Sequence, residues 1–237
     1  MKLKLKISFL LVLASILSYS SIRNLYMSNV PFIATFNNLE EFKKNWKDNS
    51  WKSPASFQLV DENLKITTRP NTNDRVKIRS KKTFTTGLYT WRIYVPKFKM
   101  FEQVSIGAFL YHNEKDEFEF DFEIGSGQQQ DRERINLKED EAIVYCVSQF
   151  SPSSSHQFPV KINTWSTFSM KLNDMNGYYF VEWFINDNKV KELQTQVKSN
   201  IQFKVHCSLE NLSFMGDVAS TQENYVLFDS FSYSNNM

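Results

Sequence analysis

The residues best placed to do chemistry are three carboxylates at alternate positions, Glu119, Asp121 and Glu123, within Glu117-Phe118-Glu119-Phe120-Asp121-Phe122-Glu123-Ile124-Gly125. Successive side chains of a β-strand point to opposite faces, so the acids form one row and the three phenylalanines the other. A helix would scatter both sets around its surface. Carboxylates held close together cannot all ionise freely, so at least one should have a raised pKa, as a general acid beside an ionised nucleophile requires. Glycoside hydrolysis uses such a pair, about 5–5.5 Å apart when configuration is retained and roughly 6.5–9.5 Å apart when it is inverted. Glu119 and Glu123 lie about 13 Å apart along an extended strand, so they converge only if the strand bends, with Asp121 between them to tune one by a hydrogen bond. The bland reading of an acidic run is a solvated strand face. Against it, like charges side by side on a strand repel, and exposed strands ordinarily mix both signs.

A rigid acid row needs a strand anchored by its phenylalanines in a core. The rest of the chain supplies material for one. Phe32 to Phe36 reads as a strand, and Asn38 with Glu41 as a capping box for a short helix that presents Leu39, Phe42 and Trp46. Ser56–Val60 and Asn63–Thr67 form a hairpin about Asp61-Glu62, followed by strands over Arg75–Ser80, Leu88–Val95 and Gln103–Tyr111. In the last of these Val104, Ile106, Ala108 and Leu110 alternate with Ser105, Gly107, Phe109 and Tyr111. Ser126 to Glu141 is polar and reads mostly as loop. Further strands fall at Ala142–Ser148, Trp165–Leu172, Tyr178–Ile185, Phe203–Ser208 and Tyr225–Tyr233, with turns at Ser151–Ser155 and Asn173–Gly177. About a dozen short strands and one short helix imply two packed sheets.

Composition bounds the function. With 237 residues, 41% of them hydrophobic, the chain can bury one full core. A net charge of +2 and no basic cluster or RNA-binding motif argue against nucleic acid as a partner. Lys2, Lys4 and Lys6 precede an apolar run from Ile7 to Leu17 and small residues at Ser18-Tyr19-Ser20. This order reads as a secretory signal over residues 1–20, with a retained N-terminal anchor as the other reading. The expected location is therefore secreted, periplasmic or at the cell surface, with no membrane span once the signal is cleaved. Cys146 and Cys207 both sit in apolar runs, where a bridge and two buried thiols are equally natural. His112, His156 and His206 are too scattered for a zinc site, and neither metal nor cofactor is expected.

Glu119-x-Asp121-x-Glu123 followed by Ile-Gly resembles the E-x-D-x-E signature of glycoside hydrolase family 16, the laminarinases, lichenases and xyloglucan-modifying enzymes. The flanks extend the resemblance along nearly the whole chain after the signal. Phe84-Thr85-Thr86-Gly87-Leu88-Tyr89 is similar to the family's "F-x-Y-G-x-Y/F" step, Val104-Ser105 to its "V-S-S-F-F", and Trp183-Phe184-Ile185-Asn186-Asp187-Asn188 to its "W-Y-V-D-G". The resemblance implies an all-β, concanavalin A-like jelly-roll sandwich of two antiparallel sheets with a concave cleft, spanning residues 31–235. It implies Glu119 as nucleophile, Asp121 as its assistant and Glu123 as general acid/base, in a monomeric retaining hydrolase or transglycosylase acting on a β-linked polysaccharide. Arg92, Ser105 and Tyr111 are candidates for the substrate-binding cleft wall. Departures cluster in the expected cleft: Thr90 where many members have glutamate, Gly107 where lichenases have an aromatic, and Glu117 in place of an aromatic two residues before the first glutamate. The alternative is a catalytically inactive carbohydrate-binding or structural module of the same fold.

Overall fold

The structure, a computed structural model, describes residues 31–113 and 117–235. The candidate signal or anchor at residues 1–20 lies outside them. Fifteen strands follow in chain order: β1 (Phe32–Thr35), β2 (Trp46–Asp48), β3 (Phe57–Val60), β4 (Asn63–Thr68), β5 (Arg75–Ser80), β6 (Gly87–Val95), β7 (Ser105–Asn113), β8 (Glu117–Gly125), β9 (Glu141–Gln149), β10 (Ser154–Lys161), β11 (Thr164–Met175), β12 (Tyr178–Ile185), β13 (Asn188–Lys198), β14 (Lys204–Glu210) and β15 (Asn224–Ser234). One sheet runs β10-β9-β8-β7-β14-β5-β2, the other β13-β12-β11-β6-β15-β4-β3 with β1 also paired to β15. The expected two-sheet antiparallel jelly roll is therefore what the chain forms.

Local chemistry explains the elements. Asp61 and Glu62 take positive φ (48° and 63°), the twist of a two-residue hairpin turn between β3 and β4. Asn38 caps the helix Leu39–Asn45 by accepting from the backbone N–H groups of Glu40 and Glu41 at 2.9 and 3.1 Å. Only part of the expected apolar face of this helix is buried. Phe42 packs inward, Trp46 enters β2 and the core, and Leu39 stays 54% exposed.

The acid strand β8 lies inside its sheet, in register with β7 from Ser105↔Gly125 to Asn113↔Glu117 and with β9 from Glu119↔Gln149 to Gly125↔Ile143. Its apolar face enters the core as expected. Phe120 meets Trp183 edge-on at 6.2 Å and packs against Phe203 at 5.3 Å, Phe122 meets Phe168 at 5.3 Å, and Phe118 at the strand end is half-buried. Trp183 also donates its indole N–H to the backbone carbonyl of Asp121 at 3.3 Å, tying the opposite sheet to the centre of the acid row. Phe120→Ala should cost roughly 3–5 kcal/mol through the cavity it leaves, measurable by denaturant unfolding. A loss below about 1 kcal/mol would show that the ring anchors nothing.

Cys146 and Cys207 are free and buried. Register places them in one cross-strand row, Cys146–Phe122–Ala108–Cys207. Three strand spacings amount to about 14 Å, far beyond disulfide reach.

Candidate active site

Antiparallel pairing carries the alternation of β8 sideways, so each acid heads a row of side chains on the face of the sheet turned away from the core. Glu119 is level with Tyr111 and Gln149, Asp121 with Phe109 and His206, and Glu123 with Gly107, Ser208 and Lys77. Ser105 and Glu210 form the next row, and Glu210 pairs with both Arg75 and Lys77 at 3.4 Å. A cavity of about 500 Å³ opens over this surface, lined by Glu119, Glu123, Tyr111, Phe109, Lys77, Glu210 and Trp51 among others. A second cavity of about 390 Å³ on the β9 side shares Glu123, Gln149 and Phe214 with the first and adds Asp131 and Tyr145. The carboxylates thus sit between two arms of a cleft.

Their protonation follows from burial and partners. Glu123 is only 8% exposed, and its pKa rises to about 8, chiefly through burial and then the charge of Glu210. Its hydrogen bond from Ser105 Oγ and the Lys77 ammonium pull the other way. Glu119 is raised to about 7 by burial, opposed by a hydrogen bond from Asp121 and by Lys77. Asp121 is fully buried, and burial followed by the charges of Glu119 and Glu123 drives its pKa well above the carboxylate range. Gln149 donates to Asp121 Oδ2 at 3.0 Å, whereas no described donor reaches Oδ1. A protonated Asp121 donates to Glu119, which raises the pKa of Asp121 and lowers that of Glu119. The three carboxyls therefore titrate as one interacting group, all held above the ordinary carboxylate range by burial. Lys77 and Glu210 act on both Glu119 and Glu123, so the two carboxyls face one common charge pair despite their separation along the strand.

This arrangement makes stability depend on pH. Glu119 and Glu123 hold protons in the fold that the unfolded chain has released above about pH 4.5, so stability present at low pH is lost as pH rises through about 7 and 8. Buried His206, whose pKa is held well below 6.5 by burial and then by Lys77, Arg79 and Lys204, opposes the trend on the acid side. The clean window is pH 6.5 to 8. Across it the Tm should fall, and Glu123→Gln should stabilise the fold at pH 8 by roughly 2–4 kcal/mol. A variant no more stable than the parent at pH 8 would mean that Glu123 is not buried against its charge.

Ser105 and Tyr111 are both at the site: Ser105 binds Glu123, and Tyr111 lines the cavity with its hydroxyl donating to Glu117 at the rim. Arg92 is not. It lies on the outer face of the opposite sheet, over the Trp165 ring and 3.7 Å from Asp229, because β6 turns Tyr89, Trp91, Ile93 and Val95 into the core and its alternate residues to solvent. Thr90 shares that outer face, bonded to Ser169, so its departure from the family pattern does not touch the cleft. Gly107 does border Glu123, and the space a Cβ would take there is filled by neighbouring side chains, Ser208 Oγ at 2.3 Å and the Phe109 ring at 3.2 Å. The cavity's aromatic surface comes instead from Trp51, Phe109 and Phe214. Lys77, Glu210, His206 and Trp51 were not found from the sequence. The alternation of Arg75, Lys77 and Arg79 against Val76 and Ile78 was the available signal, but it does not say which sheet the strand joins. Among the described residues, no cluster of His, Cys, Asp and Glu is arranged to hold a metal ion.

No protein-family model and no curated protein matches the chain. Solved structures do. A β-glucanase of Bacillus licheniformis aligns at 14% identity over 86% of this chain and 97% of its own, with a TM-score of 0.61. A Crh5 transglycosylase in complex with NAG aligns at 11% identity over 89% and 86%, TM-score 0.66. A LamA variant of Zobellia galactanivorans, solved with laminaritriose and laminaritetraose, aligns at 13% identity over 87% and 98%, TM-score 0.62. At these identities the likeness establishes the fold, the jelly roll of the β-glucanases.

Proposed function

We propose that this chain is a retaining glycoside hydrolase or transglycosylase of the family 16 type, exported and acting within a β-linked polysaccharide. The observation that carries the reading is geometric: Glu119, Asp121 and Glu123 stand in one row on a single core-anchored strand, with Asp121 and Glu123 buried, between two arms of a cleft, where burial raises the pKa of all three. In this reading Glu119 acts as the anion and Glu123 as the acid. Glu119 attacks the anomeric carbon while Glu123 gives its proton to the departing glycosidic oxygen, leaving a glycosyl ester on Glu119. Glu123, now a carboxylate, takes a proton from water or a sugar hydroxyl, which attacks the same carbon and frees Glu119. Asp121 donates to Glu119 throughout and fixes the oxygen that attacks. The activities named for the similar structures, β-glucanase and transglycosylase, support this reaction class.

The absence of an aromatic at Gly107 and the charge of Glu117 at the rim favour the second reading, an inactive module. Release of reducing ends from a panel of β-1,3-, β-1,4- and mixed-linkage glucans and galactans, together with β-linked glycans bearing carboxylate or sulfate groups, separates the two. Activity should follow a bell whose acid limb lies well above the ordinary carboxylate range, since burial raises both glutamates, and it reports the pair rather than either residue. No cleavage or transfer on any member of the panel would favour the module.

A further inference from the structure

Resting on the glycosidase reading, we propose that the polysaccharide is acidic, carrying carboxylate or sulfate groups, and that the arm of the cleft built by β5, β14 and β2 binds them. β5 buries Val76 and Ile78 in the core and turns Arg75, Lys77 and Arg79 to the face that carries the acid row. Register extends this strip sideways: Arg79 is flanked by His206 on β14 and Lys47 on β2, and Lys204 lies two residues along β14 from His206. Arg75 and Lys77 line the cavity, and Arg79, Lys47 and Lys204 continue the basic strip on the same face beyond its wall, in a chain whose net charge is only +2.

Their partners do not account for them. Among the described residues Arg75 and Lys77 both pair with the single carboxylate Glu210, while Lys47, Arg79 and Lys204 enter no ion pair and Lys204 has only the uncharged Lys81 carbonyl as acceptor. Arg79 Nε is buried without an acceptor. The crowding shows in the protonation of the neighbours, since Lys204 is pushed down by burial and then by Arg79 and Lys47. Cations packed with one shared counter-charge repel unless an anion joins them. The opposite arm, lined by Gln128, Asp131, Tyr145 and Ser155, has no lysine or arginine in its wall.

A nucleic acid fits less well than an acidic glycan. Its phosphates are the linkages themselves, and a strand crossing the cleft would run them past Glu117, Glu119 and Glu123. A glycan carries its acid groups off the ring, so the uncharged glycosidic bond can lie between the glutamates while a carboxylate or sulfate reaches β5.

Binding to the full chain bearing Glu119→Gln, measured by calorimetry, tests this without turnover. The ligands are a β-linked uronic acid oligosaccharide, a sulfated β-galactan oligosaccharide, and the carboxyl-reduced and desulfated forms of each. At roughly 20 mM salt at least one acidic ligand should bind about tenfold more tightly than its neutral form, and which one does so identifies the acid group. The preference should vanish at about 0.5 M salt and shrink in Lys47→Gln/Arg79→Gln. Because Lys47 is exposed, Lys47→Gln alone serves if the double variant does not fold. Neutral ligands bound as tightly as acidic ones, no binding of either acidic ligand, or equal binding of a single-stranded oligonucleotide would each overturn the proposal. Failure of the glycosidase reading would show separately, as a wild type that turns over nothing.

Discussion

Glu119→Ala is expected to lower turnover by roughly 10⁴-fold or more on every substrate, including aryl glycosides whose leaving groups need no proton. The reason is chemical: without the carboxylate no glycosyl ester forms, and the shortened side chain leaves a gap at the anomeric carbon. The fold should tolerate the change, because the raised pKa of Glu119 means that its charge is a burden on the native state at neutral pH. Added azide can enter that gap directly and should give a glycosyl azide of inverted configuration. Turnover comparable to wild type, measured by reducing-end release, would remove Glu119 from the mechanism.

Glu123→Ala should behave differently in kind. Polysaccharide cleavage should fall by about 10²- to 10⁴-fold, because the departing oxygen has lost its acid. An activated aryl glycoside needs no such acid, so the ester on Glu119 should still form and then accumulate for want of a base. Azide attacks without a base, so it should accelerate turnover and give a glycosyl azide of retained configuration. The opposite stereochemistry of the two azide products assigns the two glutamates independently of any rate.

The division of labour within β8 was legible because strict alternation has only one reading, and the phenylalanine face did enter the core. What the pattern could not supply is instructive. The three strands it misses, β2, β10 and β13, are all sheet edges, β2 because its Trp46 reads as part of the preceding helix. Edge strands are paired on one side only and carry lysine, glutamate and proline that blunt aggregation, as in Asn188–Lys198 and at Pro159, so their hydrophobic signal is thin. The helix Gln129–Arg134 was read as loop because it has no apolar face. What holds it is Arg132, buried and donating to the carbonyls of Ser126, Lys138 and Glu141. Arg92 was misplaced for a related reason: alternation separates the two faces of a strand but does not say which sheet carries the cleft. The same ambiguity hid Lys77 and Glu210, whose strands pair across more than 130 residues of sequence.

The central claim is that Glu119 is the atom donor to a covalent glycosyl intermediate, and trapping that intermediate tests it most directly. Incubation with dinitrophenyl 2-deoxy-2-fluoro-β-glycosides of glucose and galactose oligosaccharides slows breakdown of the ester more than its formation. Intact mass and peptide mapping would then locate the label. The account expects one glycosyl unit on the peptide spanning Glu117 to Gly125, fragmenting to Glu119, and none on Glu119→Gln. A label on Glu123, or on a residue outside β8, would contradict it.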